Sequence, residues 1–269
     1  MENYSDELGK KLLEKIGFNV TKIQETSSKK QPDFICSYKN INVLIECKLK
    51  TDDKEVVRTK NAQLSSKGVF ILDGKEGYSL NYKKIISTAS KQIKSCSLNR
   101  EFNFLLFIST GIHSMLKTQK IKSTLYGSTN LIIKRESDHI VLPCYNYTFS
   151  EFENYNNIDA CIIMTESIYN KDNFYYELCL NHFSERFNIL NSSNILEIFE
   201  KINNPLKEEA EGLAFIADKN INRKLNEYHK ISPSHNPIIY HLKEKYNMGN
   251  RDLVIPVNFN RPEITVTNI

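Results

Sequence analysis

The chain has 269 residues, of which 40% are hydrophobic and 25% charged, and its formal net charge is +4. This composition is typical of a globular protein and excludes a disordered or collagen-like chain. We find no signal peptide and no apolar run as long as the roughly 20 residues that a membrane-spanning helix needs. Six scattered cysteines form no Cys-x-x-Cys pair, which favours buried free thiols over a zinc site. We therefore expect a protein of the reducing cytoplasm that has no membrane partner.

The first predicted element is a helix over residues 5–16 that leads into a strand. Leu8, Leu12 and Ile16 recur at every fourth position, and Gly17 stands where a glycine commonly follows the end of a helix. The residues after Gly17 then alternate between apolar and polar side chains, as those of a strand do. The chain is therefore expected to begin with a helix followed by a strand.

Two short apolar runs come next, and charged residues stand at their adjoining ends. Asp33 precedes the run 34–38, whereas Glu46 and Lys48 close the run 43–47. Because side chains alternate along a strand, Glu46 and Lys48 project from the same face. Pairing of the two strands would bring Asp33 beside that face. The sequence thus predicts two carboxylates and one ammonium group at a strand end.

Such a group suits metal-dependent hydrolysis of phosphodiesters. Mg²⁺ prefers oxygen ligands and often takes only one or two carboxylates from the protein, which Asp33 and Glu46 could supply. Lys48 could orient an attacking water or stabilise charge on the phosphoryl group. The alternative is an ordinary ion pair on a solvated strand face. The continuous apolar run 43–45 favours the functional interpretation, because charges that end a strand buried on both faces are costly unless they are paired or bind a metal.

The order of these residues resembles the PD-(D/E)xK nuclease superfamily, which includes many restriction endonucleases and the archaeal-type Holliday-junction resolvases. The initial helix, the Gly17-Phe18 pair and the following strand are similar to the resolvase type, and the resemblance covers about the first fifth of the chain. It implies an α/β fold whose restriction-endonuclease-like core has a mixed central β-sheet flanked by helices. It also implies catalysis by Asp33, Glu46 and Lys48 with Mg²⁺, which Mn²⁺ could replace.

The resemblance assigns roles to further residues. It places Glu7 as the helix-borne acid that completes the metal shell, although Glu7 could equally complement the dipole of its helix. Ser27 or Ser28 lies in a loop where related enzymes often have a serine near the scissile phosphate; a plain loop serine is the alternative. Gln92 could contact the active-site lysine or the substrate, or it could be an exposed polar residue.

Further elements are expected along the rest of the chain. Residues 51–80 are expected to form an insertion that contains a helix near 54–66 and a strand at 69–72. A helix over 82–96 and a buried strand at 103–109 are expected to follow it. Four later runs fit a mostly antiparallel sheet, at 131–134, 139–142, 158–164 and 174–180. We expect a nuclease core over residues 1–110 and a C-terminal α+β extension over 111–269, for recognition or for dimerisation of the chain. The later strands could instead extend the first sheet.

The distribution of charge indicates a phosphate-rich partner. The first hundred residues contain 19 Lys and Arg against 12 Asp and Glu, so the positive charge lies with the proposed core. Such surfaces bind nucleic acids largely through the release of counterions. We therefore expect a Mg²⁺-dependent DNA endonuclease, of the restriction type or otherwise associated with defence. A structure-selective resolvase and a nucleic-acid-binding module without activity are the alternatives.

Overall fold

The computed structural model describes residues 4–24, 31–135, 138–167, 170, 172–221, 236–249 and 253–266. The helices in these ranges are α1 (Tyr4–Lys15), α2 (Lys54–Lys67), α3 (Leu80–Ser95), α4 (Ser114–Tyr126), α5 (Glu151–Asn154), α6 (Phe187–Asn191), α7 (Pro205–Ala210) and α8 (Pro237–Lys245), with a 3₁₀ helix at Asn194–Ile198. The strands are β1 (Asn19–Lys22), β2 (Phe34–Tyr38), β3 (Ile41–Lys50), β4 (Val69–Leu72), β5 (Phe102–Ser109), β6 (Ser128–Arg135), β7 (Asp138–Tyr145), β8 (Ala160–Glu166), β9 (Phe174–Leu180), β10 (Ile202–Asn203), β11 (Phe215–Ile216), β12 (Leu253–Val257) and β13 (Glu263–Val266).

A seven-stranded mixed sheet forms the centre of the fold, in the order β1-β2-β3-β5-β8-β9-β10. Strands β1, β2 and β3 are antiparallel neighbours, whereas β3, β5 and β8 run parallel. Every residue of β5 is buried, as expected for a central parallel strand covered on both faces. The predicted α/β class with a mixed central sheet and flanking helices is therefore confirmed. The same sheet takes strands from both sides of residue 110.

Each face of the sheet carries its own hydrophobic core, because alternate residues of a strand point to opposite faces. Helix α1 packs on one face, where Leu13 joins the buried residues Ile45 and Phe104. Helix α3 packs on the other face, where Ile86 joins the buried residues Leu44 and Phe107. The face that Glu46 and Lys48 share with Leu44 is thus the α3 face.

A second sheet has the order β11-β7-β6-β12 and encloses a third core, which includes Leu131, Ile133 and Leu242. The runs 131–134 and 139–142 pair antiparallel in this sheet, as expected from sequence. The runs 158–164 and 174–180 instead belong to the central sheet as β8 and β9, and β8 is parallel to β5. The single mostly antiparallel sheet is therefore not formed. The almost wholly buried β8 fits a central parallel strand better.

The insertion after β3 contains α2 and β4, as predicted, but the partner of β4 comes from far along the chain. Strand β4 pairs with β13 in a separate two-stranded antiparallel sheet. All six cysteines are free and buried, which confirms the expected thiols. None of the helices within the described ranges has the length and apolar character needed to cross a bilayer.

The close approach of α1 to β3 depends on Gly9. A Cβ atom at this position would lie 2.9 Å from Cys47 Sγ and 3.3 Å from Phe34 Cε2. In the interior of a helix, alanine is more favourable than glycine by ~1 kcal/mol, whereas overpacking a core lowers stability by about 1–3 kcal/mol. We expect Gly9→Ala to lower the free energy of unfolding by about 1 kcal/mol in urea titrations. In a Cys47→Ala background, the same change should become neutral or stabilising; equal losses in both backgrounds would contradict this packing.

Candidate active site at the carboxyl end of β3

The pairing of β2 with β3 brings the first two predicted site residues together. Phe34 lies opposite Ile45, so Asp33, one residue before β2, lies beside Glu46 on β3. The Oδ2 atom of Asp33 accepts a hydrogen bond from the Cys47 backbone N–H at 2.7 Å. This bond continues the strand pairing by one position and fixes the Asp33 carboxylate next to that of Glu46.

Glu46 is a fully buried carboxylate with one unsatisfied oxygen. Its exposed fraction is 0%, and its Oε1 atom accepts a hydrogen bond from Lys48 Nζ. Its Oε2 atom is buried and finds no hydrogen-bond partner among the described residues. Burial, and then the neighbouring Asp33 carboxylate, raise the pKa of Glu46 to about 8 against the opposing charge of Lys48. A buried carboxylate oxygen without a partner is stabilised either by binding a proton or by binding a cation.

Lys48 is the partly exposed member of this group, and it forms a hydrogen bond with Gln92 of α3. The Lys48 side chain is 25% exposed, and its Nζ atom lies 3.3 Å from Gln92 Oε1, which accepts a hydrogen bond. Gln92 in turn donates from Nε2 to the Gln31 carbonyl oxygen at 3.3 Å. Gln92 therefore links α3, Lys48 and the segment that leads into Asp33.

Helix α1 carries two acids in its first turn, Asp6 and the predicted site residue Glu7, and the structure gives them different surroundings. Glu7 is exposed on α1 and makes no ion pair or hydrogen bond with other described residues. Asp6 is mostly buried and pairs with Lys22 at 2.9 Å. Burial, and to a lesser extent the charges of Asp33 and Asp6, raise the pKa of Cys47.

Helical spacing indicates that Asp6, and not Glu7, lies on the face of α1 that packs on the sheet. Asp6, Gly9 and Leu13 follow one another at three- and four-residue steps and therefore share the face of α1 that packs on the sheet. Glu7 lies off that face. Ser27 and Ser28 lie outside the described residues.

The donor set fits a hard divalent cation. Asp33 and Glu46 offer two adjacent carboxylates, and the partnerless Glu46 Oε2 is an oxygen that such a cation could satisfy. No cluster of three or more His, Cys, Asp or Glu residues with metal-binding geometry occurs in the described part of the chain. Two protein ligands are nevertheless sufficient for Mg²⁺, which commonly takes its remaining ligands from water and substrate phosphate.

Comparison of the chain with protein-family models, with curated proteins and with solved structures found no match.

The buried Glu46 should lower the stability of the metal-free protein in a pH-dependent way. The carboxyl group ionises near pH 4.5 in the unfolded chain and near pH 8 in the folded one. The folded state thus binds the proton more tightly between these values, and stability falls as the pH rises through them. We expect Glu46→Gln to be more stable than wild type by roughly 4 kcal/mol at pH 8 in EDTA.

The matched control is Glu7→Gln, which removes an exposed carboxylate from α1. Chemical unfolding at several pH values should show the Glu46→Gln advantage shrinking to near zero at about pH 4.5, with no such trend for Glu7→Gln. A Glu46→Gln effect that is independent of pH would contradict the burial of a destabilised carboxylate.

Proposed function

We propose that this chain is a metal-dependent endonuclease that hydrolyses DNA phosphodiester bonds, of the restriction type or otherwise associated with defence. The observation that carries the proposal is the juxtaposition of Asp33, Glu46 and Lys48, in which a fully buried carboxylate keeps one oxygen without a partner. Burying charge in this way costs stability unless a ligand compensates for it. Such a cost is typical of a functional site.

The connectivity around the site supports a restriction-endonuclease-like core. The PD-(D/E)xK resemblance calls for an initial helix, strands that carry the acids and the lysine, and then a further helix and strand. In the structure α1 precedes the antiparallel strands β1, β2 and β3, and α3 leads into β5, which pairs parallel with β3. The insertion of α2 and β4 separates β3 from α3 without interrupting this order.

The chain's own groups divide the chemistry between them. Mg²⁺ or Mn²⁺ held by Asp33 and Glu46 would supply charge stabilisation to a phosphodiester and make water a better nucleophile. Lys48 has three N–H donors, and the described residues engage two of them, through Glu46 and Gln92. The third is available to a phosphate oxygen or to the attacking water. Asp33, whose Oδ2 atom accepts a hydrogen bond from the Cys47 N–H, would supply a second carboxylate to the metal.

Cleavage assays on plasmid, single-stranded and four-way-junction DNA test the proposal. We expect cutting with Mg²⁺ or Mn²⁺ that EDTA abolishes, and a loss of rate of roughly 100-fold or more in Asp33→Ala and Lys48→Ala. Lys50→Ala is the matched control, because Lys50 projects from the same face of β3 at the rim and pairs only weakly with Asp53, at 3.9 Å. It should retain most of the activity.

The outcomes of this experiment separate the alternatives. A strong preference for the four-way junction would indicate a structure-selective resolvase. If the wild type cuts none of these substrates, and if the two site substitutions leave its affinity for DNA unchanged, the chain is a binding module instead. Equal losses in Lys48→Ala and Lys50→Ala would remove the assigned role of Lys48.

Gln92 is predicted to act as a positioning residue for Lys48. Gln92→Leu keeps the volume of the side chain but removes the acceptor that holds Nζ, so we expect kcat to fall by roughly tenfold with KM unchanged. Steady-state kinetics give both parameters, and thermal unfolding checks that the variant is folded. A change confined to KM would instead indicate that Gln92 contacts the substrate.

A further inference from the structure

Helix α2 is unusual because it buries little of its surface. None of its fourteen residues is fully buried, and its packed side, with Val56, Lys60, Gln63 and Leu64, is only half-buried, although a helix on a globular domain normally buries an apolar stripe. It follows directly from the strand that carries the site, since β3 ends at Lys50 and α2 begins at Lys54. Most of the surface of α2 is therefore available to contact a partner.

Matching stripes of exposed side chains run along α2 and α3. Each stripe has residues at positions i, i+4, i+7 and i+11, which lie on one face of a helix. All of the residues are exposed and combine cations with amide or hydroxyl groups: Lys54, Arg58, Asn61 and Ser65 on α2, and Lys84, Thr88, Lys91 and Ser95 on α3. Each stripe is about 16 Å long, a length over which one DNA strand presents about five phosphates.

The stability of α2 does not explain its charges. Lys54 is the first residue of the helix, where the helix dipole disfavours a cation. Lys54 and Arg58 are like charges four residues apart, a spacing that destabilises a helix. Neither forms an ion pair with any residue that the structure describes, and the same is true of Lys84 and Lys91. By contrast, Lys117 elsewhere in the fold pairs with an acid at 2.6 Å.

Both stripes are anchored close to the candidate active site. Lys91 precedes Gln92, whose side chain accepts the hydrogen bond from Lys48. Asp52, two residues before α2, accepts a hydrogen bond from the Ile112 N–H at 2.8 Å and pairs with Lys117. The start of α2 is thereby fixed to the loop at the carboxyl end of β5, beside the end of β3.

We propose that the stripes on α2 and α3 bind the sugar-phosphate backbone of a nucleic acid next to the Asp33–Glu46–Lys48 group. This inference rests on the proposed function for the identity of the substrate, and it adds a surface that binds this substrate outside the site. Unpaired cations with nearby hydroxyl and amide groups suit phosphate oxygens, which carry no base sequence. The contribution of the stripes to binding is therefore independent of sequence.

Charge neutralisation tests the surface. The α2 variant is Lys54→Gln with Arg58→Gln, and the α3 variant is Lys84→Gln with Lys91→Gln. The matched control is Lys11→Gln with Lys15→Gln, which removes two exposed cations, also four residues apart, from α1 on the opposite face of the sheet. All three variants should unfold close to the wild-type temperature, because the replaced cations are exposed and form no ion pair with a described residue.

The readout is the affinity for duplex DNA in EDTA as a function of salt concentration. We expect each stripe variant to reduce the slope of log K against log salt by about 2, roughly one unit for each lost phosphate contact, and to bind roughly tenfold more weakly at low salt. The control should keep the wild-type slope. Slopes for the stripe variants equal to that of the control, or a wild type that does not bind DNA, would overturn the inference.

The result is independent of cleavage. If the stripe variants bind DNA more weakly but the wild type does not cut it, the binding surface is supported and the proposed nuclease activity is contradicted. If the wild type cuts DNA with metal but the stripe variants keep the wild-type slope, the nuclease activity is supported and the binding surface is contradicted.

Discussion

The burial of the Glu46 carboxylate is the constraint around which the site is built. Strand β3 passes between two hydrophobic cores, and an ion in such surroundings is strongly disfavoured unless it is paired. Lys48 neutralises one oxygen, and Asp33 adds a second negative charge where a stable protein would avoid one. An apolar residue at position 46 would suit the fold better. The proposed divalent cation would offset this cost to stability.

The same end of the sheet fixes the elements that surround the site. Three consecutive backbone N–H groups after β5 each donate to a carboxylate from a different segment: Gly111 to Glu166 at 2.6 Å, Ile112 to Asp52 at 2.8 Å and His113 to Glu263 at 2.7 Å. These bonds tie β8, the start of α2 and the strand β13 to the start of α4. The start of the insertion is thus fixed by polar contacts at Asp52, whereas the outer side of α2 is open to solvent.

The relative positions of the candidate residues were predicted best where the relevant geometry is local. Asp33, Glu46 and Lys48 could be placed together because the alternation along a strand and the pairing of adjacent strands follow from backbone geometry. The choice of Glu7 came from a resemblance, whereas the packed face of α1 contains Asp6, since residues three and four apart share a helix face. Gln92 could be proposed from its place on the next helix, but its contact with Lys48 spans 44 residues.

Local periodicity and composition were sufficient to predict the helix and strand character of most of the first 110 residues, the buried thiols and the charged residues of β3. They could not predict that β8 joins the central sheet, that β4 pairs with β13 or that α2 has no fully buried residue. A strand's partner is selected by competition among all the apolar surfaces and free backbone groups of the chain. That competition depends on contacts between distant segments, which no local pattern records.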